Sequence, residues 1–147
     1  MKVIGIGNRI MTDDGIGVLV AEGLKDYMEE YDIEIMIGET DVETCLNQIR
    51  DEDFLVIIDA TLFDLAPGTI TNRELSSIKS NYKSYSQHDI SLIDLLYRYG
   101  KKNKGYFIGI EAGEIGFGID LSIELQSKFC SILEEVKNLI KDILEEG

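Results

Sequence analysis

A run of five apolar residues, 54–58, most constrains the fold, because it contains no polar member and ends at Asp59. A strand with one face in water alternates polar and apolar residues, whereas an uninterrupted apolar run is typical of a strand buried on both faces. We therefore predict that residues 54–58 form a central strand with helices packed on either side. Asp59 would then leave the core at the edge of the sheet.

Strand and helix patterns alternate along the rest of the chain. Further strands are predicted at residues 2–7, 33–37 and 106–110, and helices at residues 14–31, 42–50, 92–99 and from 123 onward. This alternation specifies a doubly wound α/β sheet with mostly parallel neighbours. Residues 69–73, after the turn at Pro67, are expected to form a short edge strand, with an antiparallel direction as one alternative. Residues 76–87 show no clear period.

Two residues are predicted to mark helix ends. Gly100 follows the apolar stripe of residues 92–99 and is expected to end that helix, because glycine readily adopts the left-handed conformation at this position. Ser122 precedes the long C-terminal amphipathic segment and is a good N-cap for it.

Length and charge restrict the classes of protein. With 147 residues, 44% of them hydrophobic, the chain is expected to fold as one domain over residues 1–147. Its net charge of −14 disfavours nucleic acid and anionic membranes as partners. It has neither a membrane-spanning apolar run nor a signal-peptide pattern, so a cytoplasmic location is expected. Cys45 and Cys130 match no metal or redox spacing and are interpreted as reduced, buried thiols.

Polar residues follow the predicted strands where ligands collect in open α/β sheets. Asp13 and Asp14 come after the first strand, Asp59 ends the central one, and His88, the only histidine, follows the segment without a clear period. Asp13 alone could be a helix N-cap, and because one cap suffices, the second carboxylate, Asp14, would gain little from such a role. Two carboxylates and an imidazole form a ligand set that suits nickel, zinc or another borderline divalent ion.

Two other chemistries are not supported. The glycines at positions 5 and 7 lack the third glycine of a dinucleotide-binding loop, because Ile10 stands there. The neighbouring acids would also repel a pyrophosphate. Neither cysteine forms a recognisable arrangement with His88, and the chain has no Gly-x-Ser-x-Gly motif, so a nucleophilic triad is not indicated.

The ordered set of motifs resembles the nickel-iron hydrogenase maturation endopeptidases, particularly the hydrogenase 3 or formate-hydrogenlyase type. The matching segments are residues 5–8, 13–17, 59–61, 67–68, His88 with 92–95, 107–111 and 115–117. They cover nearly the whole chain in one order. The resemblance implies a three-layer α/β/α fold around a twisted, mostly parallel five-stranded sheet.

The resemblance also implies a site and a substrate. It assigns metal binding and catalysis to Asp14, Asp59 and His88, and so chooses Asp14 over Asp13. The metal would be nickel, supplied by the precursor large subunit of a hydrogenase and sensed before a C-terminal extension is removed. Zinc or cadmium could occupy the site as surrogates. Gly38 and Thr40 would contact the substrate, and the isolated chain is expected to be a monomer.

Departures from the family pattern leave other functions open. Ala112 stands where many relatives have proline, and Leu62 replaces an acid that is common there. These differences leave the identity of the substrate open. They also motivate the alternative that the chain is a relative that binds a precursor without cutting it. A phosphoacceptor receiver domain also places acids after its first and third strands, but it needs a lysine after the last strand, where Glu111 stands here.

Overall fold

A computed structural model describes residues 1–78 and 91–146. The strands are β1 (Lys2–Ile6), β2 (Glu34–Glu39), β3 (Leu55–Thr61), β4 (Ile70–Glu74) and β5 (Gly105–Glu111). The helices are α1 (Ile16–Met28), α2 (Val42–Asn47), α3 (Leu92–Arg98) and α4 (Ile123–Glu146). Short 3-10 turns occur at Thr12–Gly15, Glu29–Tyr31 and Leu75–Ser77.

The strands form a single five-stranded sheet in the order β2-β1-β3-β5-β4. The β1–β2, β1–β3 and β3–β5 pairs are parallel, which brings the carboxyl ends of these four strands to one edge of the sheet. Strand β4 is antiparallel to β5, with Ile70 opposite Ile110. The predicted edge strand is confirmed, one residue later than expected, and it runs in the antiparallel direction that the sequence analysis gave as one alternative.

Strand β3 is buried along its whole length, as the apolar run predicts. Val56 and Ile58 pack with α1 and α4 on one face of the sheet, whereas Leu55 and Ile57 pack with α2 and α3 on the other. Consecutive residues of a strand point to opposite faces, so each layer receives alternate β3 side chains. The predicted three-layer α/β/α fold is confirmed.

Two predicted helix boundaries and one prediction of burial need correction. The helix predicted over residues 14–31 is shorter, because the 3-10 turns Thr12–Gly15 and Glu29–Tyr31 flank α1 at its two ends. The second predicted helix ends at Asn47 rather than at residue 50. Cys45 is buried, but Cys130 is exposed, so the interpretation of two buried thiols is wrong for Cys130.

Both predicted helix-end residues act as expected. Gly100 has a φ of +66° directly after the C-cap of α3. The Ser122 Oγ accepts a hydrogen bond from the Leu125 amide at 3.3 Å, in the first turn of α4. Within residues 1–78 and 91–146, no helix is long and apolar enough to cross a membrane.

Candidate active site

Helix α1 begins in direct contact with the carboxyl ends of β1 and β3. A Cβ atom at Gly17 would lie 2.5 Å from the Ile6 carbonyl oxygen and would overlap the carbonyl oxygen of Ile58. Only glycine allows this approach, since any other side chain would begin inside the main chain of the sheet. The close contact places the 3-10 turn that carries Asp14 beside the end of β3, where Asp59 lies.

Asp14 and Asp59 form a buried pair of carboxylates at this edge, with exposed fractions of only 2% and 4%. The Asn8 amide donates a hydrogen bond to Asp14 Oδ2 at 3.0 Å, and the Ala60 amide donates to Asp59 Oδ1 at 2.7 Å. Each carboxylate is thus held by a backbone amide, one near the end of β1 and the other within β3.

The electrostatics of this pair favour a bound cation. Burial raises the pKa of Asp59 well above the usual range of an aspartate, the negative charge of Asp14 raises it further, and the Ala60 amide opposes both effects. Two like charges held together away from water are costly unless a positive charge compensates them. A divalent cation coordinated by the carboxylate oxygens would compensate this repulsion.

Asp13 has a different role from its neighbour. Its carboxylate accepts hydrogen bonds from the amides of Gly113, Glu114 and Ser122 and from the Ser122 hydroxyl, at 2.7–2.9 Å. These bonds join the 3-10 turn to the loop before α4. The idea that Asp13 is a helix N-cap for the segment that follows it is wrong, because neither that turn nor α1 has a side-chain cap. Of the two adjacent acids, Asp14 is therefore the one whose charge acts on Asp59.

Glu111 is a second buried acid at a strand end, and the sequence analysis does not assign it to the site. It lies at the end of β5 with 2% of its surface exposed. It accepts hydrogen bonds from the Thr61 hydroxyl at 2.8 Å, from the Phe63 amide at 3.0 Å and from the Leu65 amide at 3.4 Å. Glu111 therefore shapes the loop after β3. The signal that identified Asp59, an acid at the end of an apolar strand, also applies to it.

Two of the remaining predicted site residues, Gly38 and Thr40, lie at or just after the end of β2. Gly38 packs so closely on α2 that a Cβ there would overlap the Cys45 Sγ, which gives this glycine a packing role. Thr40 is exposed just after β2. Their contact with substrate stays a prediction. His88 lies outside the described residues, and within those residues no group of three or more His, Cys, Asp or Glu side chains could hold a metal ion.

Comparison with known proteins decides the family. A family model described as HycI, hydrogenase maturation protease, matches residues 18–146. The chain belongs to the hydrogenase maturation protease family. The match begins at residue 18, so it includes Asp59 but not Asp14, and the roles of both residues stay predictions.

Curated relatives of this chain carry related names. The hydrogenase 2 maturation protease of Escherichia coli is 33% identical over 99 residues, which cover 64% of this chain and 59% of that protein. HupD of Thiocapsa roseopersicina, a hydrogenase expression/formation protein, is 26% identical over 142 residues, covering 90% and 63%. The chain thus spans about three fifths of the length of these curated relatives.

Solved structures of the same family share the fold. The E. coli hydrogenase maturating endopeptidase HybD has a TM-score of 0.75 and 25% identity, covering 96% of this chain and 91% of that one. The HycI maturation protease of Thermococcus kodakarensis has a TM-score of 0.75 and 27% identity, covering 98% and 91%. Family membership and the position of Glu111, hydrogen-bonded to backbone amides where a receiver needs a lysine, argue against the phosphoacceptor alternative.

Proposed function

We propose that this chain is an endopeptidase that removes a C-terminal extension from the large subunit of a nickel-iron hydrogenase after nickel insertion. The observation that carries the proposal is the buried pair of carboxylates, Asp14 and Asp59, at the carboxyl edge of the sheet. Membership of the hydrogenase maturation protease family supports the class of reaction and of substrate.

In this proposal the nickel belongs to the substrate, and Asp14, Asp59 and His88 recognise it. Two carboxylate oxygens and one imidazole nitrogen are donors that a borderline divalent ion accepts. Because Asp14 and Asp59 repel each other, a peptide that carries a cation gains binding energy at this site by compensating the repulsion. An uncharged peptide gains none. A precursor without nickel would therefore be held less tightly, and recognition acts as a checkpoint.

The protein's own groups would position the peptide for cleavage. Asp14 and Asp59 are fixed by backbone amides and by the contact at Gly17, so their carboxylates hold one geometry. A divalent ion in such a position can polarise the scissile carbonyl or activate water. Preorganised carboxylates that fix this ion cost little reorganisation during the reaction.

The test is to mix nickel-loaded and nickel-free precursors with the protein and to follow cleavage by mass spectrometry. We expect only the nickel-loaded precursor to lose its extension, and we expect Asp14→Asn, Asp59→Asn and His88→Ala to abolish or strongly slow that loss. Asp26→Asn is a matched control, because Asp26 is an exposed carboxylate on α1. Equal cleavage of both precursors, or full activity of all three site variants, would contradict the nickel checkpoint.

A second measurement separates metal binding from cleavage. Zinc or cadmium, used as a surrogate, should bind the isolated protein, and Asp59→Asn should weaken that binding at least about tenfold, as expected when a ligand is lost. If wild type binds the nickel-loaded precursor but never shortens it, the chain is a non-cleaving relative and the endopeptidase proposal is wrong.

A further inference from the structure

Several large apolar side chains are exposed near the carboxyl edge of the sheet. Four of them lie in the turn before Asp14 and between β5 and the start of α4, and we call these four the rim patch: Ile10, Phe117, Ile119 and Ile123. Their exposed fractions are 51%, 88%, 78% and 85%. Ile10 lies in the turn that leads to Asp14, Phe117 and Ile119 lie in the loop after β5, and Ile123 is the first residue of α4. Contiguous exposed apolar side chains mark interaction surfaces more often than isolated ones do.

Backbone pairing places part of this patch in register. The Gly118 amide donates to the Ile10 carbonyl at 2.9 Å, and the Thr12 amide donates to the Gly118 carbonyl at 2.9 Å. This is a parallel bridge between Met11 and Gly118. The residues that precede these two, Ile10 and Phe117, are therefore neighbours along the paired backbone.

The loop that presents Phe117 is held in place by side chains rather than left loose. Thr12 Oγ1 donates to the Glu114 carbonyl at 2.7 Å and accepts from the Gly116 amide at 3.1 Å. Asp13 binds the amides of Gly113 and Glu114 in the same loop. The chain thus fixes this loop with several hydrogen bonds while leaving its largest apolar side chain in water, which is a preorganised surface.

The charges around the rim patch indicate the chemistry of its partner. Glu114, Asp120 and Glu124 are exposed carboxylates that lie between or beside the apolar residues. Arg9, next to Ile10, is already paired with Glu22 and Glu39. With a net charge of −14, the protein would repel a second copy of itself or an anionic membrane at this surface. Apolar side chains flanked by lysine or arginine would complement it.

We infer that the rim patch is a docking surface for an apolar, basic segment of the hydrogenase precursor, next to the carboxylate pair. The inference rests on the proposed function for the identity of its partner. Ile10 is four residues before Asp14, and the Asp14 amide donates to the Met11 carbonyl at 3.1 Å, so the docking surface and the site share one turn. A segment docked on Phe117 would thereby reach the site with its position already limited.

The test compares Phe117→Ser and Ile119→Ser with Tyr97→Ser. Tyr97 is a suitable control because it is 63% exposed on α3, on a helix outside the rim patch and the site. We measure the Kd for nickel-free precursor and the KM and kcat for nickel-loaded precursor. The rim variants should raise Kd and KM about tenfold or more, as for a central apolar anchor, with kcat little changed. Tyr97→Ser should match wild type.

The charge of the partner is tested separately. Asp120→Lys should weaken precursor binding, and added salt should weaken the binding of wild type. Tighter binding by Asp120→Lys would show that the docked segment is not basic and would overturn that part of the inference.

The outcomes distinguish this inference from the proposed function. If wild type cleaves the precursor and the rim variants keep Kd and KM within twofold, the docking surface is refuted and the endopeptidase stands. If wild type binds without cleaving and the rim variants lose binding, docking stands and the endopeptidase is refuted. If sedimentation shows that wild type self-associates and Phe117→Ser does not, with precursor binding unchanged, the patch joins two copies and the inference is wrong.

Discussion

Replacing Asp13 by alanine should destabilise the protein far more than replacing Asp14 by asparagine. Asp13 is fully buried and accepts four hydrogen bonds, from the amides of Gly113, Glu114 and Ser122 and from the Ser122 hydroxyl. Hydrogen bonds to a charged group contribute roughly 1.5–3 kcal/mol each, and water can replace part of them where the donors are half-buried. We therefore expect Asp13→Ala to lower the free energy of unfolding by about 3–5 kcal/mol.

The side chain of asparagine makes the argument sharper. In Asp13, Oδ1 accepts from the Ser122 amide while Oδ2 accepts the other three hydrogen bonds. An amide has only one oxygen, so Asp13→Asn can keep at most one of these sets and should fall between alanine and wild type. Asp14→Asn should be neutral or stabilising, because its oxygen can still accept from Asn8 while the repulsion of Asp59 is relieved.

Urea unfolding of metal-free protein, followed by circular dichroism, measures this series. The expected order of stability is Asp14→Asn at or above wild type, then Asp13→Asn, then Asp13→Ala. A loss below about 1 kcal/mol for Asp13→Ala would show that the four bonds do not hold the fold together, since one ordinary hydrogen bond contributes that much. A loss for Asp14→Asn as large as for Asp13→Ala would refute the division of roles between the two acids.

Three further changes test other parts of the site. Gly17→Ala should lower the free energy of unfolding by at least about 2 kcal/mol, because its methyl group overpacks against the main chain of the sheet. It should also impair metal binding by moving the turn that carries Asp14. Gly23→Ala on the same helix is the control and should be tolerated better, because its methyl group meets only the Leu133 side chain. Since burial and Asp14 raise the folded-state pKa of Asp59, the folded protein holds that proton more tightly than the unfolded chain does. Without metal, the stability of the wild type should therefore fall as the pH rises from the pKa of Asp59 in the unfolded chain to its pKa in the folded protein. Urea titrations should show a smaller fall for Asp59→Asn, and this variant should be more stable than the wild type at neutral pH. Glu111→Leu should lose about 2–4 kcal/mol, because the Thr61 hydroxyl and the Phe63 amide lose their acceptor, and Glu111→Gln should lose less.

The sequence predicts those parts of the fold that depend on local patterns. The apolar run of residues 54–58 leads to the central strand, and the alternation of strands and helices leads to the layered sheet. The 3-10 turn Thr12–Gly15 that precedes α1 was not predicted. The apolar stripe of this helix begins only at Ile16 and gives no information about the conformation of the turn. The stripe records burial, whereas the turn also depends on the contact of Gly17 with β1 and β3.

The roles of individual acids were harder to predict than the edge at which they lie. Asp13 and Asp14 are adjacent, and the partners that separate them are Gly113, Glu114 and Ser122, at least 100 residues later. No local pattern shows such contacts. The acid at the end of β5, Glu111, was missed as a structural residue for the same reason, since its donors belong to the loop after β3.

Buried acids at one edge of the sheet thus divide into two kinds by the groups that act on them. Asp13 and Glu111 each accept hydrogen bonds from several donors, which spread and stabilise the negative charge within the fold. Asp59 accepts the Ala60 amide, but burial and Asp14 dominate and raise its pKa. A carboxylate stabilised by amides gains little from a cation, whereas a repelling pair gains much. The capacity to hold a metal should therefore follow the repulsion between Asp14 and Asp59 rather than burial, which all four carboxylates share.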